Sequence, residues 1–95
     1  MKDFDWNADK NIWLQQQREI NFEVVVFHIQ SGNLLDIIDH PNPSKYPDQG
    51  ILVVDIDNYV YLVPFVEEQS GLFLKTIIPS RKATRDYRKK GRKHG

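Results

Sequence analysis

Ile51-Leu52-Val53-Val54-Asp55-Ile56-Asp57-Asn58-Tyr59-Val60-Tyr61-Leu62-Val63-Pro64-Phe65-Val66 is the stretch on which the fold turns. Two runs rich in β-branched and aromatic residues flank Asp57-Asn58, a pair that tolerates positive φ, so the spacing predicts an antiparallel hairpin. Pro64 has no amide donor, so its strand is at an edge there or carries a bulge. Downstream, Leu72 to Ile78 reads as a further strand after the polar turn Glu67-Glu68-Gln69-Ser70-Gly71. Upstream, Leu34 to Asp39 reads as a strand, followed by a polar loop from His40 to Gly50 with three prolines. Four consecutive strands with short connections form an antiparallel meander.

Before the meander the hydrophobic period changes to that of helices. Asn7 is a good N-cap for a helix running to about Arg18, with Ala8, Ile12 and Trp13 as its apolar stripe and Gln15 to Gln17 solvated. Asn21 can cap a second helix in which Phe22, Val25, Val26 and Ile29 share one face, ended by Ser31-Gly32-Asn33. Val24 to Val26 would favour a strand on propensity alone, so this helix depends on periodicity winning. Phe4 to Trp6 is a candidate fifth strand. At the far end Pro79-Ser80 stops the sheet, and Ser80 can cap a helix from Arg81 to about Lys90. The expected fold is therefore α+β: two N-terminal helices packed on a four-stranded antiparallel sheet, five-stranded with Phe4 to Trp6, and a C-terminal basic helix. Residues 1–90 form one domain and 91–95 a disordered basic tail.

The 95 residues suffice for one core, and 40% apolar with 27% charged residues is an ordinary globular balance that argues against wholesale disorder. No apolar run approaches the ~18 residues of a membrane span, and the start Met1-Lys2-Asp3-Phe4 has no signal-peptide core, so a cytoplasmic protein with no membrane partner is expected. The absence of cysteine excludes a disulfide framework and a thiolate nucleophile. A net charge of zero hides a polarity. Residues 76–95 carry eight Lys and Arg against Asp86 alone, +7, while residues 1–75 carry five bases against twelve acids, −7. A basic terminus on an acidic body suits a polyanion or an acidic protein, or else it is a solvated tail.

Local rules are broken where the last helix begins. Arg81 and Lys82 sit at the positive end of its dipole, each at a cost of roughly 0.3–1 kcal/mol. A phosphate held there would offset this. Arg81, Arg85 and Arg88 share one face and form a cationic ridge, unless they pair with the acidic body. Lys75, within the apolar run Leu72 to Ile78, snorkels, pairs or lines a cleft; an edge-strand lysine is the ordinary alternative. His40, Lys45 and Tyr46 in the proline-rich loop are the other groups able to move protons or bind phosphate. His28 reads as a boundary residue. Tyr59 and Tyr61 share a strand face and serve either as core or as a stacking platform for bases. His28, His40 and His94 are not at metal-ligand spacing, and no glycine-rich phosphate loop, HExxH or GxSxG is present, so no metal or cofactor is expected. Metal-free RNA cleavage fits this set, because the 2′-OH of the substrate is itself the nucleophile.

Phe4-Asp5-Trp6-Asn7-Ala8-Asp9-Lys10-Asn11, followed by Ile20-Asn21-Phe22-Glu23, resembles the N-terminal signature of BrnT-type toxins, and Ile77-Ile78-Pro79-Ser80-Arg81-Lys82-Ala83-Thr84 is similar to that family's ending. The likeness covers about residues 4 to 88 and is carried by the two ends. It implies a RelE-like fold and the toxin of a bacterial type II toxin–antitoxin pair, an endoribonuclease neutralised by a ribbon-helix-helix antitoxin that also represses the operon. It carries Arg81, Lys82 and Thr84 over to this chain. The sequence departs from the family at Asp48-Gln49, where Glu-Arg is usual. On the reading as an RNA-cleaving toxin, Arg81 and Lys75 are assigned to bind phosphate and stabilise charge, His40, Lys45 or Tyr46 to transfer protons, and Lys82, Thr84, Arg85 and Arg88 to contact RNA. DNA would be met only through the antitoxin. The alternatives are a non-catalytic interaction module that serves as co-repressor, and a free nucleic-acid binder using the +7 terminus.

Overall fold

The computed structural model describes residues 3–93, the last four by their backbone alone. Its elements run β1 (Asp3–Trp6), α1 (Ala8–Arg18), α2 (Phe22–His28), a π-type turn (Ile29–Asn33), β2 (Leu34–Asp39), β3 (Gln49–Ile56), β4 (Tyr59–Glu68), β5 (Gly71–Leu74), β6 (Ile78–Pro79) and α3 (Arg81–Lys93). The α+β class is as the sequence suggests. The sheet is mixed, however, not purely antiparallel: its order is β1-β5-β4-β3-β2, with β6 also paired to β4 and β1 parallel to β5. Phe4 to Trp6 is thus an edge strand beside β5. Helix α3 continues to Lys93, past the expected end near Lys90; the rest of the tail lies outside the described residues.

Asp57 and Asn58, at φ 53° and 68°, form the tight hairpin turn. It sets a register in which Leu52, Val54 and Ile56 oppose Val63, Tyr61 and Tyr59, and Val53 and Asp55 oppose Leu62 and Val60. Directly opposed residues share a face. The first set meets Leu14, Ile20, Phe22 and Val25 of the α1–α2 segment in the main core. The stacked rings of Trp6 and Phe22, 5.5 Å apart, close it at the β1 edge. Val53 and Val60 are fully buried on the opposite face, where α3 packs against β4. The sheet is therefore covered by α1 and α2 on one side and partly by α3 on the other.

The caps behave as their chemistry requires. The side chain of Asn7 accepts from the Lys10 N–H, and that of Asn21 from the Val24 N–H. Asn11 adds a tie between the helices, accepting from the Phe22 N–H at 2.7 Å and donating to Glu23 at 2.7 Å. One expectation fails in α1. Leu14 is its buried residue, while Ile12 is 57% and Trp13 41% exposed. Lys10 and Arg18 lie over the Trp13 ring and shield it, so the indole is covered by cations and not by the core.

The expected strand from Leu72 to Ile78 is broken. Between the pairs Phe65–Leu74 and Leu62–Ile78, β4 advances three residues while its partner advances four, leaving one extra residue between β5 and β6. This is a bulge, and it lies opposite Pro64, which has no amide to donate. Lys75 therefore sits in the break and is exposed, not within a strand; its N–H donates to the Pro64 carbonyl at 2.8 Å. Gly71, at φ 150°, passes so close to the Asp3 carbonyl that no Cβ could stand between them, which admits β1 to the sheet. No helix among the described residues is long and apolar enough to cross a membrane.

Candidate functional site

The loop after β2 is wound by its own hydrogen bonds. The His40 N–H donates to the Gln49 carbonyl at 3.2 Å, holding the loop's two ends together. Between Pro41 and Pro43, Asn42 does most of the folding: its side-chain oxygen accepts from Ser44 Oγ at 3.1 Å and the Lys45 N–H at 3.4 Å, while its carbonyl accepts from the Tyr46 N–H at 3.0 Å. These bonds bring the Tyr46 ring to 4.4 Å from that of His40, with the Lys45 ammonium 5.5 Å from the Tyr46 ring. The Asn42 N–H also points at His40 Nδ1, 3.0 Å away. Nδ1 is thereby an acceptor, so the neutral imidazole carries its proton on Nε2.

This loop meets the Pro64 bulge. His40 and Lys75 line one cavity of about 250 Å³ together with Gln49, Gly50, Pro64 and Phe65. Gly50 lets the Phe65 ring close against the strand at its rim, since a Cβ there would lie 2.7 Å from that ring and 2.8 Å from the Ile38 carbonyl oxygen. The ammonium of Lys75 has no carboxylate partner among the described residues. Of the five residues singled out for chemistry, His40 and Lys75 thus line one recess, with Tyr46 against His40 and Lys45 beyond Tyr46.

Arg81 does not line it. Ser80 Oγ caps α3 by accepting from the Ala83 N–H at 3.1 Å, which leaves Arg81 and Lys82 exposed in the first turn. Arg81, Thr84, Arg85, Arg88 and Lys89 border a second, open depression of about 470 Å³ along α3. Two of these side chains are committed to the fold. Thr84 Oγ1 accepts from the Val60 N–H at 2.8 Å and donates to the Ser80 carbonyl at 2.7 Å. Arg88 donates to Asn58 Oδ1 at 3.1 Å and lies 3.9 Å from Asp55, tying α3 to the hairpin. Arg85 has only a loose contact with Asp86, 3.9 Å away, and Arg81 has no partner among the described residues. Ile51 and Pro64 of the cavity are opposed to each other and share the sheet face of Asp55 and Val60, beneath α3. The step from Val60 to Pro64 is roughly 13 Å at ~3.3 Å per residue.

The remaining candidates have structural places. Tyr61 packs against the core with Tyr59 edge-on at 5.6 Å, and burial raises its pKa, with the nearby Tyr59 and Asp57 adding to the effect. His28 is hydrogen-bonded along its helix to the Val24 carbonyl at 2.9 Å. Among the described residues no three His, Asp or Glu side chains gather as a metal site. Sequence reasoning missed Asn42, whose position between two prolines was the available signal, while Gln49 stood out there only as a departure from the family pattern. The chain matches no protein-family profile, no curated protein and no solved structure.

Proposed function

We propose that the chain is a metal-independent endoribonuclease of the toxin type, held in check by a ribbon-helix-helix antitoxin as its resemblance to BrnT-type toxins with a RelE-like fold implies. The observation that carries the catalytic part is the recess lined by both His40 and Lys75, with the Tyr46 ring 4.4 Å from that of His40 and the exposed cations of α3 on the same sheet face. RNA backbone would run from the recess toward Arg81, Lys82 and Arg85, which hold flanking phosphates. In the recess the substrate 2′-oxygen attacks the adjacent phosphorus, the bond to the 5′-oxygen breaks, and a 2′,3′-cyclic phosphate and a 5′-hydroxyl result. Lys75 and the Nε2–H of His40 donate to the non-bridging oxygens as charge grows there. With Nδ1 occupied, neutral His40 has no lone pair to offer the 2′-OH, so that proton passes to water, while the Tyr46 hydroxyl or the Lys45 ammonium gives the proton that the 5′-oxygen takes on leaving.

The position where the family usually carries an arginine is Gln49, and it lines this same recess. That replacement favours the second reading, a toxin-like fold kept for partner binding and co-repression without cleavage. Incubating the purified chain with single-stranded RNA in the presence of a chelator decides between them. Cleavage to cyclic-phosphate ends, lowered about 10²-fold or more in His40→Ala and Lys75→Ala and raised in Gln49→Arg, supports the nuclease. Intact RNA with wild type and Gln49→Arg alike, beside tight binding of the antitoxin, supports the second reading.

A further inference from the structure

Strand β2 is an edge of the sheet, and its apolar residues stand unusually open: Leu35, Ile37 and Ile38 are all exposed, Ile37 by 57%. The ladder fixes which amides are free. Because the His40 N–H points to β3, alternation turns the N–H groups of Ile37 and Asp39 away from the sheet. The edge is guarded, though lightly. Leu35 is an extra residue that bulges the strand, and the Asp36 carboxylate accepts from the Ile37 N–H at 2.8 Å while its other oxygen takes the Tyr87 hydroxyl at 2.9 Å.

Tyr87 also shows where α3 is heading. The helix is pinned to β4 at Thr84 and reaches β2 through Tyr87, so it crosses the strands toward this edge. Its backbone continues to Lys93. Those six further residues add about 9 Å of helix, close to two strand spacings of ~4.8 Å. The segment holds Lys89, Lys90, Arg92 and Lys93 in sequence, so the part of α3 that runs toward this edge is the most basic part of the chain. A second copy of this chain fits badly there. Two-fold antiparallel pairing of β2 with itself keeps both α3 helices on one sheet face and points their cationic ends at each other.

We infer that the β2 edge is a docking site for an extended peptide strand of a protein partner, one that lays an apolar side chain beside Ile37 and acidic side chains on the α3 face. The strand displaces the Asp36 carboxylate from the Ile37 amide and takes up the outward groups of Ile37 and Asp39. Its acidic residues complement the basic end of α3. The site is independent of the RNA recess, so it stands or falls separately from the nuclease proposal.

The test uses the full chain and two short synthetic peptides, one alternating valine with glutamate and the other valine with lysine. The glutamate peptide is expected to bind about tenfold tighter or more at low salt, with the margin shrinking as salt rises. It should slow exchange of the Ile37 and Asp39 amides. Ile37→Pro removes only an outward donor, and Ile37→Lys keeps the backbone intact; both should abolish the binding while RNA cleavage is unchanged. Equal binding of the two peptides, binding of neither, amide protection elsewhere, or a β2-dependent dimer in sedimentation would each overturn the inference.

Discussion

Replacing Thr84 by valine probes the junction of sheet and helix with almost no change of volume. The Ser80 N–H donates to the Val60 carbonyl at 3.0 Å, so both polar groups of Val60 face the β6 side of β4. There the chain has already turned into α3, and Thr84 Oγ1 supplies the acceptor that the departed strand no longer provides. Val60 is fully buried, so water cannot replace the hydroxyl. Leaving that amide unsatisfied costs about 1–3 kcal/mol. The Ser80 carbonyl keeps its bond from the Thr84 N–H and adds little. At roughly 4–8 °C per kcal/mol for a domain of this size, Thr84→Val should melt about 10 °C below wild type. Thr84→Ser, which keeps the hydroxyl, should lose only about 0.8 kcal/mol for the missing methyl. Thermal and urea unfolding of the three proteins measures this. Equal stability of Thr84→Val and wild type, or equal loss in both variants, would refute the hydrogen-bond account. If the hydroxyl serves the fold alone, Thr84→Val should also bind single-stranded RNA as wild type does at temperatures where it is folded.

Gly71→Ala should cost about 1–3 kcal/mol, because the new Cβ collides with the Asp3 backbone at positive φ; hydrogen exchange at Asp5, whose N–H faces β5 because that of Trp6 turns outward to the Asp5 carboxylate, should rise before the rest of the sheet opens. Glu19 closes α1 at φ 55°, a left-handed conformation, so Glu19→Gly should stabilise by roughly 0.5–1 kcal/mol in urea unfolding, and a loss would show that its side chain does more than fill the cap. Burial raises the pKa of Tyr87, as does its hydrogen bond to Asp36, and burial also raises that of Tyr61. The native state then keeps protons that the unfolded chain sheds near its value of 10.0, so stability is full below that pH and declines above it. Denaturation from about pH 9 to about pH 11 should show this fall, and Tyr61→Phe or Tyr87→Phe should make it shallower.

The local elements were legible because each carries its own signal: Asn7, Asn21 and Ser80 cap three helices, and Asp57-Asn58 turns the hairpin. What escaped depends on distant partners. Nothing near Phe4 to Trp6 specifies a parallel neighbour, since the match lies with Gly71 to Leu74. The Ala8, Ile12 and Trp13 stripe misled because two cations, not the core, cover the indole. Pro64 announced a bulge, yet only the fold shows that the bulge frees Lys75 beside His40. The residue types of the recess could be read from the chain, but their convergence could not, because the two segments lie 35 positions apart in sequence. Arg81 was grouped with them by its place at the helix start and by the family resemblance, and it borders the depression along α3 instead.

Chemical-shift mapping with a single-stranded RNA whose 2′-hydroxyls are methylated tests the recess most directly, since such a strand can bind without reacting. Coincident shifts at His40, Tyr46, Gln49 and Lys75 together with Arg81 and Arg85 are the predicted result. Shifts confined to α3, with the loop and the bulge unmoved, would contradict it.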